Sequence, residues 1–263
     1  MKQILKKCLG KKKYQKIFEK LYALSIKGLY KNYYVGNATE AERYAMNLLK
    51  TKMSDASSIV VFDVGAHIGT YTDVLYREYL GERGKYFCFE PSSSTFELLK
   101  ANTSEFKNVN LFNIGFGEKK ETLTLYHYND VNYCSSVYAG EAGGKITSEE
   151  TIEIGTIDDF CLQNNINHIH FLKIDVEGNE ISVLKGAKSM LETNNIDYIQ
   201  FEFGTSGNIN SKTFFWDFYS LLKDNCLVYR MVRDGLYEIK DYNTTKCEVF
   251  TTTNFLAINK NQQ

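Results

Sequence analysis

Proline, long apolar runs and paired cysteines are the features that this sequence has least of. Its 263 residues contain one proline, Pro91, and no proline-rich or low-complexity linker that would separate two domains. There is no run of 18 or more apolar residues and no N-terminal apolar region ending in a cleavage site, so neither a membrane span nor a signal peptide is expected. The six cysteines include no C-x-x-C pair, which favours reduced thiols in a cytoplasm.

Aromatic residues, by contrast, are plentiful. The sequence has 19 Tyr and 17 Phe, which favours a large core and a cleft lined by aromatic side chains. A length of 263 residues suits one large α/β domain with an extension. We expect residues 1–35 to form a helical extension and residues 36–263 to form the main domain.

The positive charge is concentrated at the N-terminus. Residues 1–31 hold ten Lys and one Glu, whereas the remainder carries 21 basic and 31 acidic residues. Apolar residues recur there at helical spacing, with lysines on the other faces, which predicts a basic amphipathic helix. Such a helix can lie on an anionic membrane surface or pack on the domain with its lysines in water. No aromatic-basic motif of a known nucleic-acid-binding module occurs, so nucleic acid is not an expected partner. The apolar positions are Tyr14, Ile17, Phe18, Leu21, Leu24 and Gly28.

The stretch from Ile59 to Thr72 is typical of a strand, a glycine turn and the start of a helix. Its first four residues are apolar and mostly β-branched, as in a strand buried on both faces. Asp63 ends this run, and Gly65 and Gly69 bracket the turn. Strand, glycine turn and helix in this order indicate the opening of a nucleotide-binding fold.

The turn lacks the second glycine of a dinucleotide-binding fingerprint. In G-x-G-x-x-G that glycine lets the backbone approach a pyrophosphate, and here the position is His67. The turn therefore favours a nucleoside without phosphates. S-adenosylmethionine (SAM) is such a ligand.

Glu90 and Pro91 follow the next strand-like run. They lie about 25 residues beyond Gly65, where a ribose-binding carboxylate is found in such folds. A carboxylate can accept two hydroxyl hydrogen bonds at once, so we expect Glu90 to bind a ribose diol. Asn113 and Gly115, after a third strand-like run, are expected where an adenine could lie, although an ordinary glycine turn explains them equally well.

The remaining pattern predicts one open sheet. Strands near residues 59, 86 and 109 with helices between them indicate parallel strands with right-handed crossovers. The C-terminal strands are expected to complete the sheet in antiparallel orientation. The Asn-, Ser- and Gly-rich stretch from Asn129 to Glu150 is a candidate lid, and the loop from Thr205 to Lys212 is a candidate wall of the acceptor site.

A second motif follows the apolar strand that ends at Ile174. In open α/β sheets, groups at the carboxyl ends of strands face the ligand crevice, so acids that follow different strands should meet at one rim. The acids expected there are Asp63, Glu90, Asp175, Glu177 and Glu202.

Two kinds of chemistry could use this rim. A desolvated carboxylate could take the proton of an alcohol while a methyl group arrives, and Asp175 is the candidate base, with Glu177 and Glu202 as further catalytic candidates. Alternatively, these three acids could hold Mg²⁺, or Glu177 and Glu202 could be structural. Mg²⁺ is thus possible but not predicted, and no metal is predicted at His168 and His170, which have no third ligand in a suitable spacing.

These residues resemble the FkbM family of SAM-dependent methyltransferases from about Gly36 to the C-terminus. The most specific part is the sequence Asp-Val-Glu-Gly-Asn-Glu at positions 175–180, and the segment from Tyr14 to Gly36 is similar to members found with bacterial glycan biosynthesis. The further segments that carry the likeness are 62–71, 89–91, 156–159, 184–187 and 201–202.

The resemblance implies a class I methyltransferase fold, which is Rossmann-like, with a seven-stranded, mostly parallel sheet whose last strand is antiparallel. It implies methylation of hydroxyls on sugars or other glycan and natural-product acceptors. It also implies a ribose contact at Glu90 and further cofactor contacts. Those contacts fall on Asp63, Gly65, His67 and Gly69, although family members often have Asn at the position of His67.

We therefore expect a SAM-dependent O-methyltransferase that acts on a saccharide hydroxyl in bacterial surface glycan biosynthesis, in the cytoplasm or at the inner face of the membrane. One alternative is an NAD-linked sugar dehydrogenase or epimerase, against which His67 counts. Another is a non-catalytic scaffold docked to a membrane through residues 1–31. Oligomerisation is left open.

Overall fold

The computed structural model describes residues 8–128, 135–139 and 145–262. The strands are β1 (Tyr34–Val35), β2 (Ala38–Thr39), β3 (Ile59–Val64), β4 (Gly84–Phe89), β5 (Val109–Phe112), β6 (Gly115–Phe116), β7 (Glu121–Tyr128), β8 (Ser135–Ser136), β9 (Ile146–Gly155), β10 (Ile169–Ile174), β11 (Ile196–Phe203), β12 (Cys226–Val232), β13 (Gly235–Glu238) and β14 (Thr253–Asn259). The helices are α1 (Gln15–Tyr30), α2 (Glu40–Lys52), α3 (Thr70–Val74), α4 (Ser93–Thr103), α5 (Ile157–Gln163), α6 (Glu180–Lys185), α7 (Lys188–Glu192), α8 (Ser206–Asn210), α9 (Phe215–Leu222) and α10 (Thr244–Cys247).

The main sheet has eight strands in the order β13-β12-β14-β11-β10-β3-β4-β5. The five strands from β11 to β5 in this order are parallel, and β14 is antiparallel to both of its neighbours. This arrangement confirms the expected Rossmann-like fold with an antiparallel last strand. The sheet has one strand more than expected, because a two-residue turn at Arg233 and Asp234 folds β13 back on β12 as a hairpin.

The central strands are buried on both faces, as their apolar runs predicted. In β3, Phe62 and Val64 join the apolar core on one face of the sheet, whereas Ile59 and Val61 join the core on the other. The abundant phenylalanines fill the first of these cores, where the ring of Phe160 packs edge-on against five others. The five described cysteines are all free thiols.

A second, four-stranded sheet in the order β6-β9-β7-β8 stands beside the carboxyl ends of the main sheet. It replaces part of the expected lid, because Ser135–Ser136 and the first half of β9 are strands that pair with β7. Leu125, Ile152 and Ile154 form its own small apolar core. The rest of the lid prediction, residues 129–134 and 140–144, lies outside the described residues.

Helix α2 begins with a capping box, whereas the helical pattern from Ile181 to Glu192 is divided into the two short helices α6 and α7. In α2, the Thr39 hydroxyl accepts from the Glu42 amide, and the Glu42 carboxylate accepts from the Thr39 amide. The break falls between α6 and α7 at Gly186, where a Cβ atom would lie 2.0 Å from the carbonyl oxygen of Gly117. Glycine, which has no Cβ atom, leaves room there for that carbonyl.

Helix α1 stands largely clear of the domain. Of its 16 residues, Tyr30 is the one that is buried. Within the described part of the chain, no helix has both the length and the apolar character that crossing a membrane requires.

Candidate functional site

A cleft with a cavity volume of about 270 Å³ opens at the carboxyl ends of β3, β4 and β10. One side is polar and the other is apolar. The polar side contains Gly65, His67, Glu90, Asp175, Glu177 and Asn179. The apolar side contains Phe116, Leu125, Val137, Ile152 and Ile154, most of which come from the small sheet. This apolar wall was not predicted from the sequence, although the alternation of apolar and polar residues in β7 and β9 indicates it.

Gly65 allows the first loop of the cleft to approach the loop after β10. Its φ angle is +80°, and a Cβ atom would lie 1.8 Å from the backbone oxygen of Asp175. The amide of Gly65 donates to the carbonyl of Phe89 at 3.0 Å, and the Asp175 amide donates to the carbonyl of Val64 at 3.0 Å. The ends of β3, β4 and β10 are thereby tied together under the cleft.

Glu90 is a buried carboxylate at the edge of the cleft. Its two oxygens accept hydrogen bonds from the backbone amides of His67 and Ser92, both at 3.0 Å. Burial raises the pKa of Glu90 to about 7, although the two amide hydrogen bonds act in the opposite direction. Each carboxylate oxygen can accept a second hydrogen bond, so the group can bind a pair of hydroxyls.

His67 lines the cleft in a left-handed backbone conformation, with φ at +51°. Its amide is engaged with Glu90, so the turn does not present that amide to a phosphate. Burial lowers the pKa of the His67 imidazole, and the negative charge of Asp175 only partly opposes this. The imidazole is therefore neutral at neutral pH.

Asp63 lies beneath the cleft and is not one of the residues that line it. Its carboxylate accepts a hydrogen bond from the Thr72 hydroxyl at 2.7 Å, and the Nζ atom of Lys173 lies 3.3 Å away. The same Nζ atom lies 3.2 Å from Asp175, which does line the cleft. Burial on its own lowers the pKa of Lys173, but the carboxylates of Asp175 and Asp63 outweigh it and the net shift is upward. A charged lysine thus joins the two acids.

Glu180, the last acid of the 175–180 motif, has a structural role that was not predicted from the sequence. It is fully buried and accepts hydrogen bonds from the amides of Val176 and Gly178, at 3.2 and 2.9 Å. Burial raises its pKa to about 7. Its other oxygen lies 3.5 Å from the side-chain nitrogen of Asn208 in α8, a helix within the loop expected as an acceptor wall. Glu180 therefore joins the loop after β10 to the segment after β11.

The other predicted site residues fall into two groups. Glu177 and Gly115 line the cleft, together with Pro91, whereas Gly69, Asn113 and Glu202 do not. Asn113 donates to the carbonyls of Glu90 and Pro91, both at 2.9 Å, and so holds that turn in place. Glu202 is partly buried near the acids of the loop after β10, and its pKa is raised, first by burial and then by Asp175 and Glu177.

The carboxylates of Asp175, Glu177 and Glu202 do not form a compact ligand set. Among the described residues, one group of three metal-ligating side chains has ligand atoms within 4.8 Å of one another, and it consists of His168, His170 and Asp197. The expectation that the two histidines lack a third ligand was therefore wrong, because Asp197 on the neighbouring strand β11 lies beside them. In that group, the Nδ1 atom of His170 accepts a hydrogen bond from the Val60 amide. This bond fits a structural role at the amino end of the strand.

The strand order and the cleft define the class of protein, a Rossmann-like α/β domain of the class I methyltransferase fold. The sequence model of the Methyltransferase FkbM domain matches residues 63–225, which is more than half of the chain. The chain belongs to the FkbM methyltransferase family.

Three similar proteins illustrate this relationship. The hexuronic acid methyltransferase AglP of Haloferax volcanii is 26% identical over 147 residues, 55% of this chain and 56% of that protein. Methyltransferase 1 of Beauveria bassiana is 26% identical over 144 residues, 48% of this chain and 57% of that protein. The chain therefore spans a little over half the length of these relatives. The solved structure of an FkbM methyltransferase from Methylobacillus flagellatus aligns with 76% of this chain and 44% of that one, at 16% identity and a TM-score of 0.46.

Proposed function

We propose that this chain is a SAM-dependent O-methyltransferase that acts on a saccharide hydroxyl. The observation that carries the proposal is Glu90, a buried carboxylate held by two backbone amides at the edge of a half-apolar cleft. This arrangement supports a nucleoside whose ribose hydroxyls donate to Glu90 and whose base lies on the apolar wall. The engagement of the His67 amide with Glu90 favours this ligand over a dinucleotide, which needs free amides around its pyrophosphate.

The chemistry of the cleft fits SAM as the cofactor. SAM supplies a methyl group that is already activated on a positively charged sulfur, so the protein mainly has to position the reactants. Asp175 and Glu177 supply negative charge on the polar side of the cleft, which suits a cationic ligand. The apolar wall around Phe116 and Ile154 suits a flat adenine.

Asp175 is our candidate for the residue that takes the proton of the acceptor hydroxyl. Its carboxylate lines the cleft and lies 3.2 Å from the Nζ atom of Lys173, which holds it in place. A carboxylate in this position can accept the hydroxyl hydrogen bond and orient the oxygen for in-line attack. Glu202 lies close enough to Asp175 and Glu177 for their negative charges to add to the effect of burial and raise its pKa.

The negative charge of the acidic rim limits the charge that an acceptor sugar can carry. Since AglP is named as a hexuronic acid methyltransferase, saccharides are the class of acceptor to test first. Asp175, Glu177 and Glu202 would repel a negatively charged sugar but can accept hydrogen bonds from neutral hydroxyls. We therefore propose a neutral or amino sugar as the acceptor, in the context of bacterial surface glycan biosynthesis.

Calorimetric titration with S-adenosylhomocysteine (SAH) tests the cofactor site. We expect wild-type protein and the control variant Glu97→Gln, altered at an exposed residue of α4, to bind equally well. Glu90→Gln should weaken binding roughly 10- to 100-fold, since it removes charge-assisted hydrogen bonds to the ribose. Absence of SAH binding to the folded wild-type protein would end the proposal.

Transfer of a labelled methyl group from SAM tests the acceptor. A panel of neutral glycosides, amino-sugar glycosides and hexuronic acid glycosides should be methylated in the first two groups in preference to the third. Mass spectrometry of the product then locates the methyl group on a hydroxyl oxygen. Methylation confined to the hexuronic acid carboxyl would contradict the proposed acceptor class and leave the cofactor site intact.

A further inference from the structure

Helix α1 carries an apolar stripe that the domain does not cover. Ile17, Leu21 and Leu24 are 55%, 51% and 67% exposed, and their spacing places them on one face of the helix. Leu29 and Tyr22, on the adjoining face, are also exposed. The helix has 16 residues and is therefore about 24 Å long, so the uncovered face extends over several turns.

Lysines border this stripe along one side. Lys20 precedes Leu24 by four positions, Lys27 follows it by three, and Lys16 lies next to Lys20 on the helix surface. All three are exposed. Residues 8–31 contain seven Lys and one Glu, which gives a net charge of +6 for this segment.

The helix is attached to the domain at its C-terminal end. The Tyr30 hydroxyl donates to the carbonyl of Lys246 at 3.2 Å, and the guanidinium of Arg230 lies 4.6 Å from the centre of the Tyr30 ring. These contacts of Tyr30 attach α1 to the domain, and the rest of the helix, which includes the apolar stripe, stays accessible.

We propose that α1 lies in the plane of an anionic phospholipid bilayer, with Ile17, Leu21 and Leu24 inserted at the headgroup level and the flanking lysines against lipid phosphates. An exposed apolar stripe bordered by lysines matches the chemistry of that surface. A second copy of this chain is the other occupant to consider. Two segments of net charge +6 would repel each other, so the lipid surface is favoured.

Docking through α1 would also bring the hairpin β1–β2 to the bilayer surface. The chain leaves α1 and enters this hairpin, in which Tyr34 is 77% exposed.

Vesicle flotation with the full-length protein tests the proposal. We compare vesicles of phosphatidylcholine alone with vesicles containing about 30% phosphatidylglycerol, a composition within the range of anionic membranes. The protein should float with the anionic vesicles and not with the neutral ones, and raising the salt should weaken this binding. The triple variant Lys16→Gln, Lys20→Gln and Lys27→Gln should lower the partition coefficient on the order of 100-fold, taking the usual contribution of each lysine.

Matched control variants distinguish a role of α1 itself from a general effect of surface charge or exposed leucines. The control for charge is Lys52→Gln, Lys119→Gln and Lys188→Gln, which changes the net charge equally at exposed positions outside α1. For the stripe, Leu21→Gln with Leu24→Gln should abolish flotation, whereas Leu98→Gln with Leu162→Gln, also at exposed leucines, should not. Thermal unfolding by circular dichroism verifies that all variants fold.

Three results would overturn the proposal. One is equal binding to neutral and anionic vesicles, and another is an equal loss of binding in the control variants. The third is a dimer that the Leu21 and Leu24 substitutions convert to a monomer, in a protein that does not bind vesicles. None of these measurements uses methyl transfer, so they stand independently of the proposed function.

Discussion

Lys173 and Asp175 form an ion pair at the end of the central strand β10, with the lysine Nζ and the aspartate Oδ2 atoms 3.2 Å apart. Lys173 is buried and also lies 3.3 Å from Asp63 on the neighbouring strand. One buried cation therefore balances an acid beneath the cleft and an acid that lines it. This relationship explains how carboxylates can be placed so close together in a largely apolar core.

Replacing Lys173 should destabilise the protein strongly. Lys173→Met keeps much of the side-chain volume but leaves two acids without their cation, and we expect the free energy of unfolding to fall by about 3–5 kcal/mol. Urea denaturation measures this. Lys185→Met is the control, because Lys185 is half-exposed with its partner Glu118 3.7 Å away, and it should change stability by less than about 1 kcal/mol. Equal stability of the two variants would show that the ion pair is not needed for folding.

Replacing Asp175 should mainly reduce turnover. Asp175→Asn keeps the shape of the side chain but removes the proposed proton acceptor, so kcat should fall roughly 100- to 10,000-fold, the usual contribution of a general base. The affinity for SAH should change by less than about tenfold. Steady-state kinetics and calorimetry on the same preparation distinguish these effects. Normal turnover in this variant would remove Asp175 from the role of base.

Much of the cleft could be predicted because its polar residues stand at fixed places in the strand–turn–helix pattern. Gly65, Glu90 and Asp175 follow apolar strands, and parallel strands bring their carboxyl ends together. Asp63 also follows an apolar run, but it is still part of β3 and therefore lies beneath the cleft. There it forms an ion pair with Lys173 on the neighbouring strand. Local sequence cannot reveal this, since the pairing joins residues on different strands.

The parts that sequence analysis missed depend on contacts between distant segments. The apolar wall needs β7 and β9 to pair across a stretch that is rich in polar residues and resembles a loop. The break at Gly186 needs the carbonyl of Gly117 to approach it, and the pattern of α6 and α7 alone is that of one continuous helix. Tertiary contacts override local preference at both places.

The stability of the ligand-free protein should depend on the ionisation of Glu90. Its pKa is about 7 in the folded state, above the ordinary value of 4.5, so the folded protein binds more protons between these two values. The contribution of Glu90 to stability is therefore complete below about pH 4.5 and is lost as the pH rises through about 7. Glu180 has a similar shift and acts in the same direction.

Urea denaturation at a series of pH values measures this dependence. Between about pH 4.5 and about pH 7, the free energy of unfolding should fall more in wild-type protein than in Glu90→Gln, whose side chain does not titrate. Glu97→Gln, at an exposed position, should follow the wild-type curve. A wild-type curve parallel to that of Glu90→Gln would mean that Glu90 titrates normally in the folded protein.

Binding of the cofactor product should depend on pH in the opposite sense. Ribose hydroxyls donate to the ionised carboxylate, so SAH binding should strengthen as Glu90 loses its proton. We expect the affinity to rise by up to about tenfold per pH unit below the pKa of Glu90 and to level off above it. Calorimetry between pH 5.5 and 8.5, values chosen on the order of one and a half units around that pKa, measures this. An affinity that is flat with pH in wild-type protein, as expected for Glu90→Gln, would contradict the ribose role.

The buried contact between Glu180 and Asn208 should show strong coupling between the two side chains. The Oδ1 atom of Asn208 accepts hydrogen bonds from the amides of Gly204 and Thr205, at 2.8 and 3.1 Å, so its Nδ2 atom must face Glu180. In Glu180→Gln, with Oε1 kept by the amides of Val176 and Gly178, two amide nitrogens would face each other. In Asn208→Asp, two carboxylates would face each other at a pH above about 7, where Glu180 is ionised, and the stabilities are compared there. Each single variant should be destabilised, because no rotation of either group restores a donor and an acceptor.

The double variant exchanges the two groups and should recover stability. The new amide of Glu180→Gln donates to the new carboxylate of Asn208→Asp, whose other oxygen still accepts from Gly204 and Thr205. We expect a coupling free energy of about 1–3 kcal/mol from urea denaturation of the four proteins. Turnover should recover in parallel, because the loop that carries Asp175 is held by Glu180. Additive losses in the double variant would mean that the two segments are joined by other contacts.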